Sequence, residues 1–274
     1  MIEKLIKEYT AEGAFDRIGA DEAMNEKYVG LKIFDEPLIG YASADDELFD
    51  EYVNREEILS CRFMHPKKWL PEAKTVVSAF FPFTDEVKKS NAADMATPSD
   101  EWQHARYEGQ NHLNNMTQHI RDGLIEAGYK CVAAALDSRY KVSFVEREKK
   151  NSDYGGNWSE RHAAYAAGLG TFGLSKGLIT KRGVAGRFLS VITDMQATPT
   201  ARDYSGIYDY CNMCGLCIGN CPAGAISFER GKQHVSCHEF LKTVLSEERP
   251  KYACGKCQIA VPCMSAAPKL TDNM

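Results

Sequence analysis

The sequence has no apolar run near about 18 residues, so nothing in it predicts a membrane span. Its start, Met1-Ile2-Glu3-Lys4-Leu5-Ile6, brings in charge at once and is not followed by an apolar region with a small-residue cleavage site. No twin-arginine pair lies near it. We therefore expect a protein that stays in the cytoplasm. Basic charge is also in short supply. The 33 Lys and Arg residues are outnumbered by 38 Asp and Glu, for a net charge of −5. A protein that grips phosphate backbones needs a concentrated basic surface, so this balance argues against a default nucleic-acid binder. There is no long internal repeat and no low-complexity tract. Cysteine is scarce until late: before residue 211 only Cys61 and Cys131 occur, and both read as small buried hydrophobes.

What is present suits a folded chain of 274 residues, 44% hydrophobic and 26% charged, long enough to bury a sizeable core. Residues 1–12 read as an amphipathic helix, with Ile2, Leu5, Ile6 and Tyr9 on one face. Lys74 to Phe81 reads as a buried strand closed by Pro82. From His104 to Ala127 the apolar spacing turns helical, and Gly128 is a natural stop. Cys131–Leu136 and Phe188–Ile192 are further strand candidates. Asn157-Trp158-Ser159-Glu160 resembles a capping box opening a helix through Ala167. This alternation predicts a mixed α/β (α+β) first domain over residues 1–200. A short polar stretch, 197–203, then leads into a cysteine-rich module over 201–274.

Eight of the ten cysteines fall in the last 64 residues. In a reducing compartment such crowding points to metal before disulfides. Cys211-x2-Cys214-x2-Cys217-x3-Cys221-Pro222 has the spacing of a bacterial [4Fe–4S] motif, in which three thiolates wrap one cube and the fourth serves another. Gly215, Gly219 and Gly224 would let backbone N–H groups approach the sulfurs. Cys237, Cys254, Cys257 and Cys263 bring the supply to eight, enough for two cubes. By the same logic Cys211, Cys214, Cys217 and Cys263 share one [4Fe–4S] cluster, and Cys221, Cys237, Cys254 and Cys257 hold the other. Zinc also uses Cys-x2-Cys pairs, but usually as separated pairs rather than this threefold run. His234 and His238 lie close by and read as neighbours of the clusters or surface residues. Two clusters in series form a wire for electrons, and the large first domain is where they would be used.

Gly168-Leu169-Gly170-Thr171-Phe172-Gly173 matches the dinucleotide pattern G-x-G-x-x-G, with Asp194 downstream. That fingerprint must follow a strand and open a helix. Here a helix precedes it, so a loop letting backbone approach a large flat cofactor is the better reading.

The stretch from Ser159-Glu160-Arg161 through Gly173, then Leu178-Ile179-Thr180 and on to Thr193-Asp194, resembles the corrinoid-binding core of epoxyqueuosine reductases, relatives of the reductive dehalogenases. Leu70 to Val77, Arg106-Tyr107-Glu108-Gly109 and the four-one-three order of the cysteines, with its Cys257-Gln258 pair, extend the resemblance over about residues 60–265. It implies a nitroreductase-like mixed α/β core with a C-terminal ferredoxin-like module carrying two [4Fe–4S] clusters. It also implies a cobalamin beside one cluster, through which a substrate is reduced while a protein acid supplies the proton. The Asp-x-His-x-x-Gly corrinoid motif is absent, in keeping with that family. Gly168, Gly170, Thr171, Phe172, Gly173 and Leu178 are then candidates for the cofactor loop, and His112 could face the corrinoid or lie on the helix surface.

The sequence also departs from the family. Val261 stands where its last cysteine belongs, and Cys263 follows Pro262 two residues later. The catalytic aspartate's register, seven residues before Arg161, holds Tyr154, with Asp153 one step earlier. Reductive dehalogenases are similar in using a tyrosine as proton donor, so Tyr154, Asp153 and Arg161 are the catalytic candidates. The alternative is that Tyr154 and Asp153 are inert members of a polar loop, 151–157, and that Arg161 only forms an ion pair. Expected partners are a reduced ferredoxin or flavodoxin as electron donor and a small organic substrate. Transfer RNA is a weaker expectation for so acidic a chain. The rival readings are an iron–sulfur electron carrier or corrinoid-reactivating protein without a substrate of its own, and a core that binds flavin instead.

Overall fold

A computed structural model describes residues 1–11, 15–55, 58–59, 63–147, 151–245, 251 and 253–268, with side chains undescribed at 143–147 and 151–154. In chain order the elements are α1 (Ile2–Ala11), β1 (Leu38–Ser43), α2 (Glu47–Asn54), α3 (Pro66–Trp69), β2 (Thr75–Pro82), α4 (Asp85–Ala93), α5 (Asp100–Glu126), β3 (Cys131–Val132), β4 (Val142–Arg147), β5 (Asn151–Gly156), α6 (Glu160–Ala166), β6 (Gly170–Phe172), β7 (Leu178–Thr180), β8 (Gly186–Thr193), α7 (Leu216–Gly219), β9 (Ile226–Ser227), β10 (Gly231–Lys232) and α8 (His234–Thr243).

The centre is a four-stranded sheet in the order β1-β2-β8-β3, every neighbouring pair antiparallel. β2 is buried at all eight positions, as its unbroken apolar run foretold. Because side chains alternate across a strand, β8 sends Leu189 and Val191 to one core and Ile192 to another. The first core is closed by α5, whose Leu113, Met116, Ile120 and Leu124 share one buried stripe. α5 starts with Ser99 accepting from the Trp102 N–H and stops where Gly128 takes a positive φ of 87°. The second core lies under α6 and holds Phe49, Phe63, Trp69 and Trp158.

Several expectations need correction. The run Cys131–Leu136 pairs for only two residues before turning into a short 3-10 helix at Ala134–Leu136. The polar segment 151–156 is a strand paired with β4, not a loop. The capping box is not made: Ser159 precedes α6 without a capping hydrogen bond and meets His162 Nδ1 at 2.8 Å instead. The cysteine-rich tail is not a separate appendage either. Ala253 and Ile259 belong to the first core, and the Cys263 and Met264 carbonyls accept from the Val184 and Ala185 N–H groups.

Candidate metal centre

The first three cysteines sit on a loop that reverses twice, with Met213 at φ 51° and Gly215 at φ 73°. α7 then carries Cys217 toward the interior. Gly215 suits this turn because its φ of 73° would strain any other residue, while the nearest atom to an added Cβ, Phe228 Cζ at 2.9 Å, is the tip of an exposed ring. The returning tail supplies Cys254, Cys257 and Cys263. Gly255, between the first two, has φ 73° and lies flat against the Trp102 ring. Asn91 on α4 donates to the Cys254 carbonyl at 3.0 Å. The fully buried Lys256 ammonium donates to the Asn91 carbonyl at 2.7 Å and to the Asp94 carbonyl at 2.6 Å. A buried cation needs such partners, and they bolt the tail to α4.

The thiols fall into two neighbourhoods. Cys263 is pushed up to about 12 by burial, then by Cys211, Cys217 and Cys214 around it. Cys237 is raised by burial and has Cys257 and Cys221 as thiol neighbours, while Cys254, pushed up to about 11, has Cys257 and Cys237. The neighbourhoods meet where Cys217, also pushed up to about 11 by burial, senses Cys257. Cys263 thus lies beside the first three cysteines despite its displaced position in the sequence. Leu174, Ile226 and Ile218 pack around Cys257, Cys211, Cys217 and Cys221. The Ala225 N–H points at Cys221 Sγ from 3.3 Å, and Lys232 Nζ lies 4.0 Å from Cys257 Sγ. A sulfur-rich group with negative charge fits this lining of N–H donors, a cation and apolar walls. Among the described residues, no three His, Cys, Asp or Glu side chains form a set for a single metal ion. Cys131 lies far from this chemistry, half-buried on β3 and with its thiol pushed up to about 12 by desolvation. Cys61 lies outside the described residues.

Next to Cys257 stands Arg161. Its side chain reaches solvent, yet protein surrounds it closely enough that desolvation lowers its pKa, with Cys257 opposing and Arg106 adding to the effect. We take this position, open to solvent yet crowded by protein, as the wall of a recess. Arg187 shares it, held by Gln110 Oε1, which accepts from Nε at 2.8 Å. Burial lowers Arg187 well below its usual value, and Arg106 and Arg161 lower it further. His162 is pushed down to about 3 by burial and by Arg161, so it is neutral.

The other candidates are placed as follows. Gly168 ends α6 at φ 77°, after a helix as expected. Gly170 cannot carry a Cβ because the Ile179 carbonyl occupies its place in the β6–β7 pair. Thr171 is buried and its hydroxyl accepts from the Tyr210 N–H at 2.8 Å. An added Cβ on Gly173 would lie 3.7 Å from Cys211 Sγ. Leu178 is buried against Phe80 and Leu169. Phe172 is half-exposed, its ring 4.8 Å from that of His162. Gly170 thus lets the β6–β7 pair close, and Gly173 brings this turn against the cysteine module. His112 Nε2 lies 3.1 Å from Glu22 Oε1, and its ring neighbours that of Phe15. Asp153 and Tyr154 lie on β5, which packs against α8, the helix that carries Cys237. Their side chains lie outside the described ones. Glu160, Arg187, Lys232 and Lys256 were not singled out from sequence for these roles.

Comparison with known proteins agrees with this geometry. The 4Fe-4S binding domain family matches residues 205–227. A tetrachloroethene reductive dehalogenase of Desulfitobacterium hafniense is 38% identical over 68 residues, 24% of this chain and 12% of that protein. An epoxyqueuosine reductase solved with a modified tRNA stem loop superposes with a TM-score of 0.52 at 19% identity, over 98% of this chain and 67% of that one. A reductive dehalogenase described as B12-dependent gives 0.52 at 16% identity, over 93% and 35%. This chain has their fold. It spans two thirds of the epoxyqueuosine reductase and about a third of the dehalogenase, joining an α+β core to a 4Fe-4S binding domain. Among the described residues no helix is long and apolar enough to cross a membrane.

Proposed function

We propose that this protein is an iron–sulfur, cobalamin-dependent reductase with two [4Fe–4S] clusters. One is held by Cys211, Cys214, Cys217 and Cys263, the other by Cys221, Cys237, Cys254 and Cys257. The observation that supports this reading is the gathering of the late thiols, Cys263 beside Cys211, Cys217 and Cys214, and Cys237 and Cys254 beside Cys257, with Arg161 next to Cys257. Cys214 is the exposed thiol, and exposed Met213, Leu216 and Phe228 surround it. That rim is the natural entry for electrons from a reduced ferredoxin or flavodoxin. Lys232 and Arg161 beside Cys257 stabilise added negative charge there.

A corrinoid bound in the recess would supply low-potential reducing chemistry. The residues suited to holding it are Arg161, Arg187 and Phe172. Arg161 orients an acceptor by its guanidinium fork, and the aromatic ring excludes water from one side. Tyr154 and Asp153 lie on the strand beside α8, in the register where the resemblance expects a proton donor. The substrate is a small organic molecule; the acidic surface disfavours tRNA, the ligand of the epoxyqueuosine reductase complex.

Anaerobic reconstitution with iron, sulfide and cobalamin tests the reading. Two cubes require about eight irons per chain and a paramagnetic signal from interacting reduced clusters. Zinc in the purified protein, or about four irons, would sink the two-cluster assignment. Retention of flavin and exclusion of cobalamin would overturn the corrinoid.

A further inference from the structure

Glu160 is the most unusual ionisable group outside the cysteine module. It opens α6, where a capping role would have turned it outward to the backbone. Instead its carboxyl turns inward. One oxygen, Oε2, is buried with no hydrogen-bond partner. The rest of the carboxyl is oriented by a short relay: the Trp158 indole donates to Ser190 Oγ at 2.9 Å, and the Ser190 hydroxyl and the Trp158 indole are its polar neighbours. Trp158 and Ser190 are themselves buried, so the relay is fixed in place. Across β8 stands Arg187, steadied by Gln110 and coupled to Arg106 of α5 and Arg161 of α6.

An ionised carboxylate with an unsatisfied buried oxygen is costly, whereas a protonated one presents an O–H able to meet a ligand. Burial pushes this carboxyl up to about 7, against the pull of Ser190, Arg187 and Trp158. An acid balanced near neutrality can both hold and release a proton.

We propose that Glu160 is the proton-carrying residue of the recess, donating its carboxyl proton to a substrate held against Arg161 and Arg187 as that substrate gains electrons through the iron–sulfur clusters. For each two-electron reduction of a carbon–heteroatom bond, a proton from Glu160 ends on the carbon and the heteroatom departs with the bonding pair. Glu160 regains its proton from solvent in the recess. The proposal rests on the reductase reading, but it predicts a property of the resting protein that needs no turnover. Ser190 and Trp158 are positioning residues in it.

The test is infrared difference spectroscopy of the full chain, reconstituted with iron and sulfide, between mildly acidic and mildly alkaline pH. In the wild type a protonated-carboxyl band should be present below pH 7, disappear above it, and shift within the mixing time in D2O. Glu160→Gln should remove the band, and Glu160→Asp should retain one with an altered midpoint. Ser190→Ala should move the midpoint upward, since the hydroxyl favours the charged form. Identical spectra for wild type and Glu160→Gln would overturn the proposal. So would a band that does not exchange in D2O, which would mark a sealed structural acid. A protein that passes these tests yet reduces no substrate would discredit the reductase reading and leave the protonation of Glu160 standing.

Discussion

The two stretches that supply most of the cysteines are built in opposite ways. Cys211–Cys221 lies on a loop at the surface, around an exposed Cys214 and exposed Met213 and Leu216. Cys254–Cys263 runs through the interior: Cys257 is buried, Ile259 is completely enclosed, and Lys256 is tied to α4. The recognisable motif is therefore the more exposed half of the site, and the irregular tail is the more enclosed half. Ligand spacing can be read where a local loop sets it, whereas a tail's spacing answers to the core it threads.

Replacing Cys263 sharpens this contrast most. Cys263→Ala should remove one cube, lowering iron by roughly half, while Cys131→Ala leaves iron content unchanged. Next in size is Gly255→Ala. The new Cβ would enter the Trp102 ring at a backbone position of φ 73°, and overpacking plus left-handed strain should cost about 4 kcal/mol. A fall in Tm and poor cluster loading would show it. Glu160→Gln tests the core-facing acid by pH. The folded-state pKa is raised from 4.5 to about 7, so the folded protein binds more protons than the unfolded chain between these values, and stability falls as pH rises through them. The amide should remove that decline, leaving the variant roughly 2 kcal/mol more stable than wild type at pH 8 and little changed at pH 4, as read by denaturant midpoints. The smallest effect belongs to the loop side. Gly219→Ala meets nothing within 4 Å and should alter stability by no more than about 0.5 kcal/mol. Equal costs at Gly219 and Gly255 would erase the distinction between the two halves.

Where chemistry was local, the sequence was readable. The apolar run at β2, the stripe of α5 with its glycine stop, and the threefold cysteine spacing each follow from short-range rules. The pairing of Cys263 with the first three cysteines was expected from ferredoxin logic, and Cys263 stands where Cys211, Cys217 and Cys214 act on it. Other features depend on partners distant in sequence. Arg187 is defined by Gln110, 77 residues away, and Lys256 by Asn91, 165 residues away. The glycines at 170 and 173 carry no mark that distinguishes a hairpin from a cofactor loop. Glu160 looked like a capping residue because Asn157 stands three residues before it, and its inward turn shows only in its contacts with Trp158 and Ser190.

The anchoring of Lys256 ties two distant parts of the chain together. Cys254 and Cys257 flank a side chain whose carbonyl partners belong to α4 and its C-terminal end. The seating of α4 on the core therefore helps fix where these two sulfurs stand, so a change on a helix without cysteines can be felt at the iron site.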